Sequence, residues 1–323
     1  MTMVSKDAWL AIVNPASGRS RAGASWAQVA DAFARAGVQV DVAYTSAPNE
    51  GEAIAKQAVQ DGRRRLLAAG GDGSVNDIVN GIMTAGCTPH DLVTLAPVPL
   101  GTGNDWARSL GIPRNPAGIA AIIAAEVTLL HDVGHIEFPA AGRDSVRGRW
   151  FINVAGAGYD SHVIQRLPQQ VPSPIAYLRG ALTGLATYRA PVFRITADTG
   201  SLEERLLLAF VANGQYCGNR MHVAPDARLD DGLLEVVAIR NVGLFTVLAK
   251  VIKLYRGTLL DDRVVWHARG ARVRIETDTT VAVEADGQVV GNTPAEISVL
   301  RGRLRVVRSD RSAQRWNVSG PGG

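Results

Sequence analysis

Gly70, Gly71 and Gly73 surround a single carboxylate, Asp72. They lie between a short apolar run, Leu66 to Ala69, and a stretch in which Val75, Ile78, Val79 and Ile82 fall at i, i+3, i+4 and i+7. That spacing predicts a strand, a turn and then a helix. Glycines let a ligand approach the main chain, and the start of the following helix offers N–H groups and the positive end of a dipole. The turn therefore suits a phosphate. A carboxylate cannot ligate a phosphate, so Asp72 suits a Mg²⁺ ion or a hydroxyl that must lose its proton. Ser74-x-x-Asp77 also reads as an ordinary capping box, which needs no ligand.

The elements that must position this turn can be read on either side of it. Residues 9–15 read as a buried strand ending at Asn14-Pro15, and Trp26, Val29, Ala30 and Phe33 form the apolar face of a helix that Gly37 stops. A strand over 38–44 precedes Thr45, and Asn49-x-x-Glu52 can cap a helix running to about Gln60. The strand Leu92 to Val98 leads into a second glycine turn, Leu100-Gly-Thr-Gly-Asn-Asp105. Asn115-Pro116 then opens a helix to about Ala125, followed by a strand over 127–133. This alternation predicts a doubly wound, Rossmann-like parallel sheet with helices on both faces. Ligands of such sheets sit beyond the carboxyl ends of the strands, where Asn14, Thr45, Asp72 and Thr102 to Asp105 all fall.

After Gly134 the pattern changes. The short aliphatic runs 148–155, 191–197, 205–212, 233–239, 264–268, 271–277, 281–285 and 297–300 predict an antiparallel β-sandwich, with helices only near 174–187 and 242–255. The α/β fold class is thus expected to divide into an N-terminal parallel-sheet domain at 1–134 and a β-sandwich domain at 135–300. Residues 301–323 would form a strand returning toward the first domain and a frayed tail.

The 323 residues suffice for two cores. Cys87 and Cys217 make neither a disulfide framework nor a CxxC metal pattern, and the six histidines lack metal-ligand spacing and read as structural or exposed. The N-terminal stretch has no signal-peptide core, and the longest aliphatic run, 118–130, is short and carries Glu126, so an integral membrane protein is not expected. A net charge of +4 and a pI near 9.3 are compatible with an acidic membrane surface or acidic substrates. Walker A, GxGxxG, HExxH and GxSxG patterns are absent, which argues against those nucleotide, metal and hydrolase chemistries.

Four separated stretches together resemble the diacylglycerol-kinase-like lipid kinases, a group that includes bacterial diacylglycerol kinases, YegS-type lipid kinases and sphingosine kinases. They are Asn14-Pro-Ala-Ser-Gly18, Gly70-Gly-Asp-Gly-Ser-Val-Asn-Asp77, Leu100-Gly-Thr-Gly-Asn-Asp105 and Ala224-Pro-Asp-Ala-Arg-Leu-Asp-Asp-Gly-Leu233. Phe151-Ile-Asn-Val-Ala-Gly-Ala-Gly-Tyr-Asp160 looks like a fifth, and the order fits over about residues 9–307. The resemblance implies ATP and Mg²⁺ as cofactors and a lipid hydroxyl as acceptor, diacylglycerol by default, giving phosphatidic acid. It implies that Asn14, Ser17 and Gly18 contact the nucleotide and that Thr45 lines the adenosine side. Gly71, Asp72, Gly73, Ser74, Asn76 and Asp77 would cradle the phosphates, helped by Thr102. Asp72, Asp105 and Asp132 match the aspartates that hold Mg²⁺ through water. A second, structural metal would be ligated by the Asp231 carboxylate and the carbonyls of Arg228 and Leu233.

Two departures stand out. Asp77 replaces the usual Glu, and Gln288 stands where the family's Asp-Gly-Glu motif carries its base. Gln288 cannot take a proton, which leaves Asp72 as the base or Glu284 or Asp286 as a substitute. The apolar segment 171–193, edged by Arg179 and Arg189, is the expected lipid entrance. The expected setting is cytoplasmic, peripheral at the inner face of a membrane, with a lipid partner, no nucleic acid, and room for a homodimer. Two alternatives remain: a soluble kinase of the NAD kinase or phosphofructokinase type, and a regulator that binds nucleotide or lipid without turnover.

Overall fold

The computed structural model describes residues 8–17, 25–86, 91–139, 147–159, 161–162, 184 and 188–310. Gly18, the expected helix over 174–187 apart from Gly184, and most of the segment 171–193 lie outside the described residues. The chain divides into two compact units. One is Met1–Val133 with Arg228–Asp231 and Leu300–Gly323, and the other is Gly134–Ala227 with Gly232–Val299. The sequence reading keeps 228–231 with the β domain. In the structure this segment groups with the first unit, where the Leu229 carbonyl accepts the N–H of Asp132 at 2.8 Å.

The first unit runs β1 (Trp9–Val13), α1 (Trp26–Arg35), β2 (Val40–Tyr44), α2 (Glu50–Gln60), β3 (Arg65–Gly70), α3 (Asp72–Thr84), β4 (Thr94–Pro99), α4 (Asp105–Ser109), α5 (Pro116–Ala125) and the start of β5 (Thr128–Phe138). Its strands lie parallel in the order β2-β1-β3-β4, and Arg305 and Val306 near the chain's end add a further parallel pairing on β4. From β1 the chain steps outward to β2, then returns across β1 to β3 and continues to β4. Right-handed crossovers therefore put α1 on one face and α2 and α3 on the other. The helix contacts agree, since α1 packs with α5 and α2 with α3. The winding reverses between β1 and β3, and the crevice beyond their carboxyl ends is where ligands of doubly wound sheets bind. β4 is buried at every position and β3 at every position after Arg65, as parallel strands covered on both faces must be.

Helix ends differ from expectation in informative ways. α3 starts at Asp72 with Gly71 as N-cap, and no side chain caps it. The Ser74-x-x-Asp77 box therefore does not form, because Ser74 already lies inside the helix and its Oγ accepts from Asn14 Nδ2 at 3.1 Å. Asn49 sits in the left-handed region (φ 62°), and its side chain accepts no capping hydrogen bond from α2. The Glu50 carboxylate instead accepts from the Ser46 and Ala47 amides and the Ser46 hydroxyl, which fixes the turn after β2. Asn115 caps α5 as expected, accepting from Gly118 N–H at 2.7 Å. β5 continues past the expected end at Val133 to Phe138, so Asp132 lies within a strand and not at its end. Gly134 permits the continuation, because a Cβ there would come within 2.1 Å of the Phe151 ring.

The second unit takes the remainder of β5, then β6 (Arg147–Phe151), β7 (Val154–Gly158), β8 (Val192–Ala197), β9 (Gly200–Ala212), β10 (Tyr216–Cys217), β11 (Met221–His222), β12 (Leu234–Arg240), α6 (Leu244–Arg256), β13 (Val265–Gly270), β14 (Arg272–Thr277), β15 (Ala282–Ala285), β16 (Gln288–Asn292) and the start of β17 (Ala295–Val307). Among the described residues its strand pairs are antiparallel, matching the expected sandwich. β9 links two layers, pairing with β8 along residues 200–205 and with β7 and β12 farther on. Phe151, Phe193, Ile195, Val211, Val236, Val283 and Ile297 fill the core between the layers. Phe210 and Val237 point the other way, into a second cluster that includes Leu259 and is covered by Val247 and Leu254 of α6.

Gly81 lets α3 pack on α2. A Cβ there would lie 2.3 Å from the Glu52 carbonyl oxygen and 2.8 Å from Ala55 Cβ. Alanine is the better helix former by about 1 kcal/mol. Overpacking outweighs that gain, and Gly81→Ala should lower unfolding stability by about 1–3 kcal/mol in urea titrations.

Candidate active site

The Asp72 carboxylate accepts main-chain N–H groups from the start of α4. Oδ2 receives Asp105 N–H at 3.2 Å and Oδ1 receives Trp106 N–H at 3.3 Å. Short α4 presents these amides because its own first turn has no other acceptor for them. The two glycine turns are thereby locked together, and the backbone makes the same contact, with Leu100 and Gly101 N–H both donating to the Gly70 carbonyl. Gly101 permits the approach, since a Cβ there would stand 2.7 Å from Gly71 Cα. Asn104 takes the left-handed conformation (φ 54°) to turn the chain into α4, and its Nδ2 donates to the Gly101 carbonyl at 2.7 Å. Arg114 clamps the turn from outside, donating to the Thr102 carbonyl at 2.5 Å and the Gly103 carbonyl at 3.0 Å.

Asp105 is 3 % exposed and accepts from Arg108 at 2.5 Å. Asp132 is fully buried, and its Oδ1 accepts the Gly302 N–H at 2.7 Å. A buried ring connects Asp132 to the other two aspartates. The Trp106 indole N–H can only donate, so at 3.0 Å from His131 Nε2 it requires that nitrogen to be the acceptor. Nδ1 then carries the proton and donates to the Asp132 carbonyl at 2.5 Å. His131 is therefore neutral. Burial pushes its pKa down to about 4, opposed in part by the Asp132 carbonyl. Asp72, the α4 amides, Trp106, His131 and the Asp132 main chain form one continuous hydrogen-bonded chain.

The remaining expected nucleotide contacts lie at the switch between β1 and β3. A small cleft there is lined by Asn14, Thr45, Ser74 and Asp77 together with Pro48 and Asn49. Ser17 lies beside it on a turn whose N–H returns to the Asn14 carbonyl. Thr102 is exposed on the second glycine turn. Asn76 does not face the cleft. It is fully buried and its Oδ1 accepts from Asn80 Nδ2 at 3.1 Å, so its side chain serves helix packing. Gly103 leaves open the space before the carboxylates, where a Cβ would come within 3.0 Å of Asp72 Oδ2 and 4.0 Å of Asp105 Oδ2. The Asp72 and Asp105 carboxylates thus both lie beside Gly103, whereas among the described residues no group of three acidic, histidine or cysteine side chains is placed to hold a metal ion directly.

In the second unit, Gln288 opens β16 just after the turn Asp286-Gly287. The Asp286 carboxylate accepts three amides, from Ile152 at 2.9 Å and from Asn153 and Val154 at 3.0 Å. This interruption splits the single strand expected over 148–155 into β6 and β7. Both Asp286 oxygens thereby anchor this loop. Glu284 is 6 % exposed and accepts the Gly287 N–H at 2.7 Å, which closes the same hairpin. The neighbouring Asn153 donates to the Tyr216 carbonyl at 2.6 Å, so this motif is structural scaffolding. Of the expected second metal ligands, Arg228 and Asp231 belong to the first unit and Leu233 to the second, and Arg228 Nε lies 3.5 Å from Asp230.

Sequence reasoning missed Trp106, His131, Arg114 and Gly302. Trp106 and His131 meet across 25 residues, Arg114 reaches back 11 and 12, and Gly302 meets Asp132 across 170, through contacts that no local motif encodes.

Two family models match the chain, the diacylglycerol kinase catalytic domain over residues 8–136 and the YegS C-terminal NAD-kinase-like β-sandwich domain over 153–308. A "Diacylglycerol kinase" of Bacillus subtilis is 28 % identical over 306 residues, covering 94 % of this chain and 97 % of that protein. A "Probable lipid kinase YegS-like" of Alcanivorax borkumensis is 26 % identical, covering 84 % of this chain and 87 % of that protein. A crystal structure of a diacylglycerol kinase from Bacillus anthracis shares the fold with a TM-score of 0.71 at 22 % identity, covering 94 % and 98 % of the two chains. The chain is therefore a member of a kinase family. That family is the diacylglycerol-kinase and YegS-type lipid kinases, and the chain belongs to it.

The buried histidine gives a pH signature. With its folded pKa near 4 and its unfolded value near 6.5, the unfolded chain binds more protons at His131 between those pH values. Stability should therefore fall as pH drops through this window, by about 3 kcal/mol in total from this residue. His131→Asn keeps a donor and an acceptor but does not titrate, and its urea-unfolding stability should decline less steeply between pH 6.5 and pH 4.

Proposed function

We propose that the protein transfers the γ-phosphoryl group of ATP to the hydroxyl of a lipid, with diacylglycerol as acceptor and phosphatidic acid as product. The observation that carries the reading is the Asp72 carboxylate, held at the start of α3 by the Asp105 and Trp106 amides. It puts an acid within a glycine turn and at a helix N-terminus, where main-chain N–H groups favour phosphate. Asn14, Ser17, Thr45, Ser74 and Asp77 border the nucleotide, with adenosine on the Thr45 side.

In the reaction the acceptor oxygen attacks the γ-phosphorus in line. The new O–P bond forms as the bond to the β-phosphate oxygen breaks, and ADP leaves with that electron pair. Asp72 takes the hydroxyl proton, because Gln288 cannot and, of Asp72, Glu284 and Asp286, Asp72 is the one at the helix N-terminus that favours phosphate. Asp105 and Asp132, with Asp72, would hold Mg²⁺ through water, and the ion would supply charge neutralisation on the phosphates. Arg108 fixes the Asp105 carboxylate and Gly302 fixes that of Asp132, so the donors are oriented before substrate arrives. The work is done from the cytoplasm at the inner face of a membrane.

Radiolabelled ATP, Mg²⁺ and mixed micelles of diacylglycerol should yield labelled phosphatidic acid. Asp72→Asn should lower the rate by about 100-fold or more. Gln288→Glu should change it by less than about tenfold, since positioning and charge stabilisation dominate phosphoryl transfer. Labelling only in Gln288→Glu would mean that the natural chain is a non-catalytic binder. Label entering NAD and not lipid would assign the soluble-kinase reading.

A further inference from the structure

Helix α6 is apolar on two opposite sides. Val247 and Leu254, seven residues apart, pack inward on the second cluster of the sandwich unit. Phe245 and Ile252 have the same spacing on the opposite side, and Tyr255 follows one turn on. Phe245 is 87 % exposed, Ile252 59 % and Tyr255 51 %. Exposed apolar residues scattered singly need no explanation. Here they cluster: of the eight large apolar residues exposed among the described residues, four (Phe245, Val251, Ile252 and Tyr255) lie on this helix. A helix with apolar stripes on both sides has something to cover the second one.

Charge identifies the occupant. The helix carries Lys250, Lys253 and Arg256 and no acid. Both lysines share one carboxylate, Asp262, at 2.5 and 2.7 Å, so the cluster keeps a net positive charge. Arg256, at the helix end, is exposed, and so are Arg263 and the acid Asp261 near it, which leaves the patch with an excess of positive charge. Aromatic and aliphatic residues on one face with cationic residues at its edge are the pattern of a helix lying in a lipid interface. No described helix is long and apolar enough to cross a membrane, so contact through α6 would be parallel to the surface.

We propose that α6 is a docking helix for an anionic phospholipid surface, with Phe245, Ile252 and Tyr255 entering the acyl boundary and Lys253 and Arg256 meeting the headgroups. The proposal deepens the lipid-kinase reading and rests on it for the reason to visit a membrane. It assigns docking to an element other than the expected entrance over 171–193.

The test is flotation of the full chain with phosphatidylcholine vesicles, with and without phosphatidylglycerol, in the absence of ATP. The wild type should float with the anionic vesicles. Phe245→Ser/Ile252→Ser should lower the partition coefficient by about tenfold or more. Arg256→Glu should lower it without touching the apolar stripe. Both variants should melt with the wild type, since the changed side chains are outside the core. The proposal is overturned if the wild type stays in solution, or if the double variant floats equally well. It is also overturned if light scattering shows a wild-type dimer that the double variant splits, because a second copy then covers the stripe. Transfer to a monomeric short-chain diacylglycerol is measured alongside. Flotation that depends on α6 but comes without phosphoryl transfer supports docking and rejects the kinase reading. Transfer with flotation that ignores the α6 substitutions does the reverse.

Discussion

One carboxylate, held by two amides, organises the first unit. The Asp72 side chain can receive the Asp105 and Trp106 N–H groups only if the two glycine turns touch, and that contact dictates the residues around it. Gly101 must lack a Cβ to reach Gly71, and Asn104 must enter the left-handed region to aim α4. Arg114 must hold the carbonyls of the second turn. The parallel sheet contributes the location, since the reversal of winding between β1 and β3 leaves an open crevice where Asn14 meets Ser74. A buried Trp106–His131 pair then carries the same constraint to Asp132. Buried polar chains of this kind are stable only when every member is satisfied, which requires the neutral histidine.

The second unit uses a carboxylate for the opposite purpose. Asp286 gathers three consecutive amides and so fixes the break between β6 and β7. Glu284 closes the same hairpin by accepting the Gly287 N–H. The sequence Glu-Ala-Asp-Gly-Gln thus places its two acids in the scaffold and leaves an amide, Gln288, where the family resemblance led to the expectation of an acid. The proposed reaction assigns the acid–base work to Asp72, at the helix start that favours phosphate.

Fold class was legible because periodicity reports burial directly. The i, i+3, i+4, i+7 pattern after Gly73 and the aliphatic runs of the later chain describe a helix and strands whose cores are where those patterns put them. Boundaries were less legible. The helix at Asp72 begins before its apparent cap because Gly71 makes the turn, and β5 outruns Val133 because Gly134 leaves room for Phe151. Site residues with a local signature, such as Asp72 and Asp105, were visible as motifs. His131 and Gly302 were not, since their partners lie 25 and 170 residues away and their roles exist only in the folded chain. Asn76 shows the converse, a motif position whose side chain is turned into the helix packing.

The central claim is that the Asp72 turn holds the phosphates and metal of a nucleotide. The most direct measurement is a crystal structure of the full chain with Mg²⁺ and a non-hydrolysable ATP analogue. The account predicts phosphates at the start of α3, adenosine toward Thr45, and Mg²⁺ bound directly or through water by Asp72, Asp105 and Asp132. A nucleotide bound elsewhere, or a metal that leaves all three aspartates untouched, would contradict it.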